Sequence, residues 1–210
     1  MMQLFVSAFV TLFVVIDPAG CAPIYAGLTS GASAAQRRAM ALRASLIAGV
    51  ILLGFALFGE MLLGALHIEL DAFRIAGGIM LFVTALEMAF EKRTRRREER
   101  AEKIIHEHHG PEVEDVSVFP MAMPMIAGPG AIASVMLLMS RAQGLQQSVT
   151  VLAALALVLV LTVAALMAAG PLMRLFGQRA EAVFTRVLGL ILAALAAQFV
   201  VNGVRGSFGL

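Results

Sequence analysis

Long apolar runs, separated by short polar or charged stretches, set the pattern of this chain. A membrane helix needs about 20 predominantly apolar residues, and six windows of that kind are present, at residues 2–29, 44–66, 72–90, 118–139, 148–169 and 187–204. Asp17 is the only charge in the first window and Glu60 the only charge in the second, while Glu87 lies near the end of the third. The last three windows carry no charge. In the sixth, Gly189, Ala193 and Ala197 stand four apart, a small-residue stripe that lets membrane helices approach closely. In the second, Gly49, Gly54, Gly59 and Gly64 recur every five residues, so they spiral around a helix and predict no interface.

Composition strengthens the membrane reading. Hydrophobic residues make up 60% and charged residues 14% of the 210 residues, against about 45–50% and about 25% in soluble domains. The N-terminal stretch lacks the basic region of a cleavable signal, so the first window is expected to remain as a membrane segment. A single cysteine, Cys21, excludes an internal disulfide framework.

Charge then assigns sides. Seven of the sixteen Lys and Arg residues lie between Lys92 and Lys103, interleaved with Glu98, Glu99 and Glu102, which reads as a solvated loop and not as a nucleic-acid-binding face. With six crossings, one side carries thirteen basic residues: Arg37, Arg38 and Arg43, the central seven, and Arg174, Arg179 and Arg186. The other side carries three, Arg74, Arg141 and Arg205. The positive-inside rule therefore predicts a cytoplasmic loop at 91–117 and both termini outside the cytoplasm.

The chain also resembles itself. Ile16-Asp17-Pro18-Ala19-Gly20 aligns with Ile126-Ala127-Gly128-Pro129-Gly130 at an offset of 110, and Arg74, Gly77 and Ile79 align with Arg186, Gly189 and Ile191 at an offset of 112. Each unit holds three crossings, an odd number, so the halves 1–90 and 118–210 are expected to be inverted with respect to one another. That is an all-α membrane fold of two inverted three-helix repeats, an architecture common among secondary transporters.

Five of the seven prolines fall in the first and fourth windows. Pro18 and Pro129, each beside glycine, are expected to break their helices near mid-span, with half-helices starting near Cys21 and Ala131. Such breaks are tolerated where protein or a water-filled cavity satisfies the backbone. Two opposed half-helix N-termini would favour a small anion such as a carboxylate. The candidate substrate-binding set is Asp17, Gly20, Cys21, Gly128, Gly130, Ala131 and Ser134. Asp17 is also the candidate ion-coupling group, since an intramembrane carboxylate usually marks an ion or substrate path, although it could instead cap the following half-helix. Arg74 and Arg186 are candidate gate residues or interface anchors. Ser134 and Tyr25 stand one turn past their half-helix starts, facing a ligand or bonding locally. The HEHH stretch at 106–109 lacks supporting ligands, so no metal site is expected.

The blocks DPAGCAPIYAGLTSG and FPMAMPMIAGPGAIAS resemble the hallmarks of the MarC family of six-helix integral membrane proteins, and the resemblance spans essentially the whole chain. It implies a bacterial inner-membrane protein, with some relatives described as neutral amino acid transporters acting on glycine and alanine. The family's first motif usually reads Asp-Pro-x-Gly-Asn. Here Cys21 replaces that Asn.

The expected function is secondary transport of small neutral amino acids between inverted repeats. No nucleotide-binding motif is present, which favours coupling to a proton or Na⁺ gradient and no other cofactor. Export of larger amphipathic solutes, which the 13 Phe and 13 Met residues would permit, is the alternative, followed by a non-transporting scaffold. An enzyme is not expected, as no HExxH or nucleophile-base pair is seen. The partners are a small solute and the lipid bilayer, and the sequence leaves oligomeric state open. The charge count generates a direct test: alkaline phosphatase fused within 91–117 should be inactive, whereas a fusion at 141–143 should be active.

Overall fold

A computed structural model describes residues 1–90 and 115–209, with the backbone alone described at 170–182 and 184. The described residues form helices and contain no strand. In chain order these are α1 (Met2–Ile16), α2 (Pro18–Leu28), α3 (Ala34–Ala65), α4 (Leu70–Ala89), the irregular α5 (Ser117–Ile126), α6 (Pro129–Met139), α7 (Leu145–Met167) and α8 (Ala169–Phe208). Five spans are long and apolar enough to cross a membrane, six if α5 and α6, bent by 54°, count as one. Most of the loop expected at 91–117, with its HEHH motif, lies outside the described residues.

Local chemistry explains the helix ends. Ser33 and Gln36 open α3 with a reciprocal capping box, the Gln36 N–H donating to Ser33 Oγ at 3.3 Å and the Ser33 N–H to Gln36 Oε1 at 2.9 Å. The same helix closes with His67 at φ 55°, the Ile68 N–H reaching back to the Leu63 carbonyl at 2.9 Å in a Schellman-type turn. In α5, Phe119 and Met123 are extended (φ −128°, ψ 128° and φ −131°, ψ 123°) because each precedes a proline, which disfavours the helical region. The sequence predicts a helix interrupted only at 127–130; the stretch before the interruption is irregular as well.

The first apolar run lies deep in the bundle, as does α6. An 18-residue stretch within Met2–Leu28 is 56% buried, against 28–33% in the other four spans, and Ala133 to Leu138 of α6 are all buried. Around them, helices turn small residues inward and large ones outward: α3 buries Ala41, Ala44 and Ala48 while Leu46, Val50, Phe58 and Met61 are exposed. A soluble protein would not expose such a surface. A bilayer-embedded one can, since small inward residues let the helix backbones approach.

The closest helix pair is α4 with α8, running antiparallel. A Cβ placed on Gly78 would lie 2.9 Å from the Val200 backbone nitrogen, and one on Gly189 would lie 3.0 Å from the Ala85 carbonyl oxygen. The contact line on α8 follows Gly189, Ala196 and Gly203, while Ala197 is exposed. The stripe expected at four-residue spacing therefore repeats every seven, two full turns, which keeps one face toward α4. The predicted 5–6 loop is also helical: α8 begins at Ala169, two residues after α7 ends.

Because backbone atoms cannot yield as side-chain ends do, Gly78→Ala and Gly189→Ala should each destabilise the fold by about 1–3 kcal/mol. Gly54→Ala, where the new methyl meets nothing within 4 Å, should be neutral. Melting temperature in detergent, read by labelling of the single thiol Cys21, measures all three.

Candidate functional site

Asp17 separates α1 from α2 and adopts the left-handed conformation, φ 57° and ψ 67°. Asp and Asn tolerate that region better than other non-glycine residues. Its N–H donates to the Phe13 carbonyl at 2.9 Å, closing α1. Its own carbonyl accepts from the Cys21 N–H at 3.0 Å, and its side-chain Oδ1 accepts from the Gly20 N–H at 3.0 Å, opening α2. Pro18 occupies the first helical position, where a missing N–H costs nothing. So α2 starts at Pro18, earlier than the Cys21 start expected from sequence. Proline here begins a helix; the left-handed Asp17 is what interrupts the run.

The neighbours of Asp17 are fitted to it. A Cβ on Gly20 would sit 2.9 Å from the Asp17 Cγ, so glycine leaves the carboxylate room to cap. The Cys21 thiol lies 3.6 Å from the Ile16 carbonyl oxygen, a weak donor turned back onto the end of α1. Asp17 is 2% exposed and Cys21 fully buried.

In the second half, α6 starts at Pro129 rather than near Ala131, with Gly128 as its cap residue and no side-chain cap. A Cβ on Gly128 would lie 2.5 Å from the Pro124 carbonyl oxygen, so the turn out of α5 requires glycine. The start of α6 meets the end of α1: a Cβ on Gly130 would lie 3.3 Å from Val15 Cγ1. Gly128 and Gly130 are half-buried and Pro129 is exposed, whereas Ala131 and Ser134 are buried. The Ser134 hydroxyl, one turn into α6, is buried with no hydrogen-bond partner among the described residues.

The structure thus brings the end of α1, at Val15, against Gly130 at the start of α6. The two helix starts differ. An acid already occupies that of α2, and that of α6 has no side-chain cap. Tyr25 lies elsewhere, its hydroxyl donating to the Arg37 carbonyl and tying α2 to α3. A cleft of about 190 Å³ opens there, lined by Tyr25, Thr29, Arg37, Arg38, Leu166 and Met167, and does not reach Asp17.

Arg74 and Arg186 do not meet. Arg74 lies one turn before Gly78, which packs on Val200; Arg186 lies one turn before Gly189, which packs on Ala85 and Met88. Antiparallel packing puts them at opposite ends of the α4–α8 pair. The Arg74 Nη1 instead donates to Asp71 Oδ1 at 2.6 Å. Arg141, which charge counting treats as an ordinary loop residue, stacks on Phe199 with its guanidinium carbon 4.5 Å from the ring centroid. No sequence signal pointed to that contact. Among the described residues no three His, Cys, Asp or Glu side chains converge as metal ligands.

Residues 2–208 match the model of the MarC family integral membrane proteins, and the chain belongs to that family. It is 35% identical over 209 residues to a UPF0056 membrane protein of Methanocaldococcus jannaschii, covering 98% of each chain. It is 34% identical to the UPF0056 membrane protein YvbG of Bacillus subtilis (99% of this chain, 97% of the relative) and 32% identical to the UPF0056 membrane protein YhcE of Escherichia coli (95% and 91%). No solved structure matches the chain. The protein is therefore a multi-pass integral membrane protein.

The capping geometry separates two roles of Asp17. Asp17→Ala loses both the cap and a residue suited to positive φ, and should cost about 1–2 kcal/mol. Asp17→Asn keeps an acceptor oxygen and tolerates the same backbone, so it should melt close to the parent. Faster maleimide labelling of Cys21 in the Ala variant, and not in the Asn variant, is the expected readout.

Proposed function

For this member of the MarC family, we propose secondary transport of small neutral amino acids, such as glycine and alanine, by alternating access between two inverted three-helix repeats. The observation that carries it is the meeting of the two interruptions. Asp17, buried at the end of α1, follows two residues after Val15, which contacts Gly130 at the start of α6, a start without a side-chain cap. A zwitterion matches that pairing. Its ammonium would lie toward Asp17 and its carboxylate at the N–H groups of Gly130 and Ala131, where the helix dipole favours negative charge. Since Asp17 already caps α2, the carboxylate goes to α6 alone. Ser134 adds a buried hydroxyl without a partner, a group that costs stability unless a ligand satisfies it.

The small side chains around the site, Ala22, Ala127 and Ala131, all buried, favour a compact solute over a large amphipathic one. Cys21, where the family pattern has Asn, offers only a weak donor and spends it on Ile16. Recognition in this chain then rests on backbone groups, Asp17 and Ser134. Interior contacts support the inverted repeat. The 112-residue offset that relates Arg74 to Arg186 exchanges the Gly78–Val200 contact with that of Gly189 and Met88, to within one residue. In this reading both interruptions lie near the membrane midplane, Asp17 carries the coupling proton or Na⁺, and the 91–117 loop faces the cytoplasm of a plasma-membrane protein.

Uptake of labelled alanine and glycine into proteoliposomes, with imposed pH or Na⁺ gradients, tests the proposal. Gradient-driven uptake is expected, with a loss of at least about tenfold in Asp17→Asn, since an intramembrane charge is then missing from a folded protein. Folded protein that moves neither amino acid, even in counterflow, would refute the substrate class.

A further inference from the structure

A second cluster lies well away from the two interruptions. Helices α4 and α6 run antiparallel, with Gly77 against Leu137 and Ala133, and with Leu81 and Thr84 against Gly130. Carried one turn toward the start of α4, that register places Arg74 level with Arg141, which follows α6 in the 140–144 connection. Arg74 is seven to ten residues, or about 10–15 Å along the helix, from the level of Gly130. The cluster stands at the bundle end where α4 and α7 begin and α8 finishes.

Its hydrogen bonding is incomplete. Arg74 binds Asp71 through Nη1, with side-chain exposures of 22% and 26%. The Asp71 carboxylate in turn lies against α8 at Gly206, where a Cβ would come within 2.5 Å of its Cγ. Phe199, 4% exposed, supports the Arg141 guanidinium from below. Yet the Arg74 Nε and the Arg141 Nη2 are both buried without an acceptor among the described residues. Two guanidinium groups and one carboxylate leave a formal charge of +1. Burial lowers the pKa of Arg141, and the nearby Arg74 charge lowers it further, so the cations crowd one another in a poorly solvated place. Unpaired buried donors on charged groups are costly. A planar oxyanion accepting from both would satisfy the donors and neutralise the excess charge.

We propose that Asp71, Arg74, Arg141 and Phe199 form an oxyanion-binding site at this end of the bundle, taking a carboxylate or phosphate group. Asp71 orients Arg74, Phe199 orients Arg141, and the two free N–H groups converge on the ligand. The site does not depend on the transport reading. Its chemistry is shared by free anions and by phospholipid headgroups, which the test separates.

The test melts the full chain in a maltoside detergent at pH 7, following Cys21 exposure with a fluorogenic maleimide. Acetate, inorganic phosphate or dihexanoyl phosphatidylglycerol is titrated against chloride of matched ionic strength. At least one of the three should raise the melting temperature saturably beyond chloride. Acetate or phosphate doing so identifies a free anion, and the lipid alone doing so identifies a headgroup. Arg141→Gln should raise the half-effect concentration by about tenfold or more, from loss of a charge-assisted bond. Arg141→Lys retains the charge and guards against misfolding of the Gln variant. It should still raise the value several-fold, because a point charge lacks the planar fork. No saturable effect of any of the three, or half-effect concentrations equal to the parent in both variants, would overturn the site.

Discussion

Hydrocarbon offers no hydrogen bonds, so each backbone group released where a helix is interrupted inside an apolar span has to be satisfied by the protein. At the end of α1 that demand falls on one residue. Asp17 closes α1 through its N–H, opens α2 through its carbonyl, and caps α2 through its carboxylate. A left-handed residue was needed there, and an aspartate supplies both the conformation and the acceptor. The surrounding choices follow from it. Pro18 fits the first helical position, Gly20 leaves space for the carboxylate, and the Cys21 thiol turns onto the carbonyl at the end of α1.

The second interruption meets the same demand differently. Two prolines make α5 irregular before the turn at Ala127 and Gly128, and the chain enters α6 with a 54° bend and without a side-chain cap. Two stretches that align in sequence therefore present unlike chemistry. One start is internally neutralised by an acid. The other has no side-chain cap and packs against Val15. The cap residue is Asp17 in α2 and Gly128 in α6, and at the position aligned with Asp17 stands Ala127.

The rest of the bundle holds these two elements together. The deeply buried α1, α2 and α6 are enclosed by helices that turn alanine and glycine inward and large apolar residues outward. The α4–α8 pair is drawn close enough that backbone as well as side-chain atoms meet Gly78 and Gly189. At the α4 start the same close approach brings Asp71, the partner of Arg74, against Gly206. An exposed ion pair such as Arg43 with Asp115, 2.9 Å apart at side-chain exposures of 65% and 47%, contributes little by comparison.

Much of this was legible in one dimension because its causes are local. Apolar length marks the spans, proline and glycine mark the two interruptions, and a lone Asp17 in an apolar run marks a buried polar group, which the structure bears out at 2% exposure. Membership of the MarC family was also readable, since DPAG and AGPG each stand in their own half. Other features depend on how one helix is rotated and slid against another, and intrahelical spacing does not carry that information. Sequence alignment pairs Arg74 with Arg186, whereas antiparallel packing separates them and gives Arg74 the company of Asp71 and Arg141. Spacing by four proposed Ala197 as a contact, whereas the crossing of α4 and α8 selects Gly189, Ala196 and Gly203. The sequence by itself determined where the chain spans, where proline and glycine gather, and that Asp17 lies alone in an apolar run. Only the tertiary structure decided which residues of α8 meet α4 and that Arg74 and Arg186 part, because both follow from distances between helices.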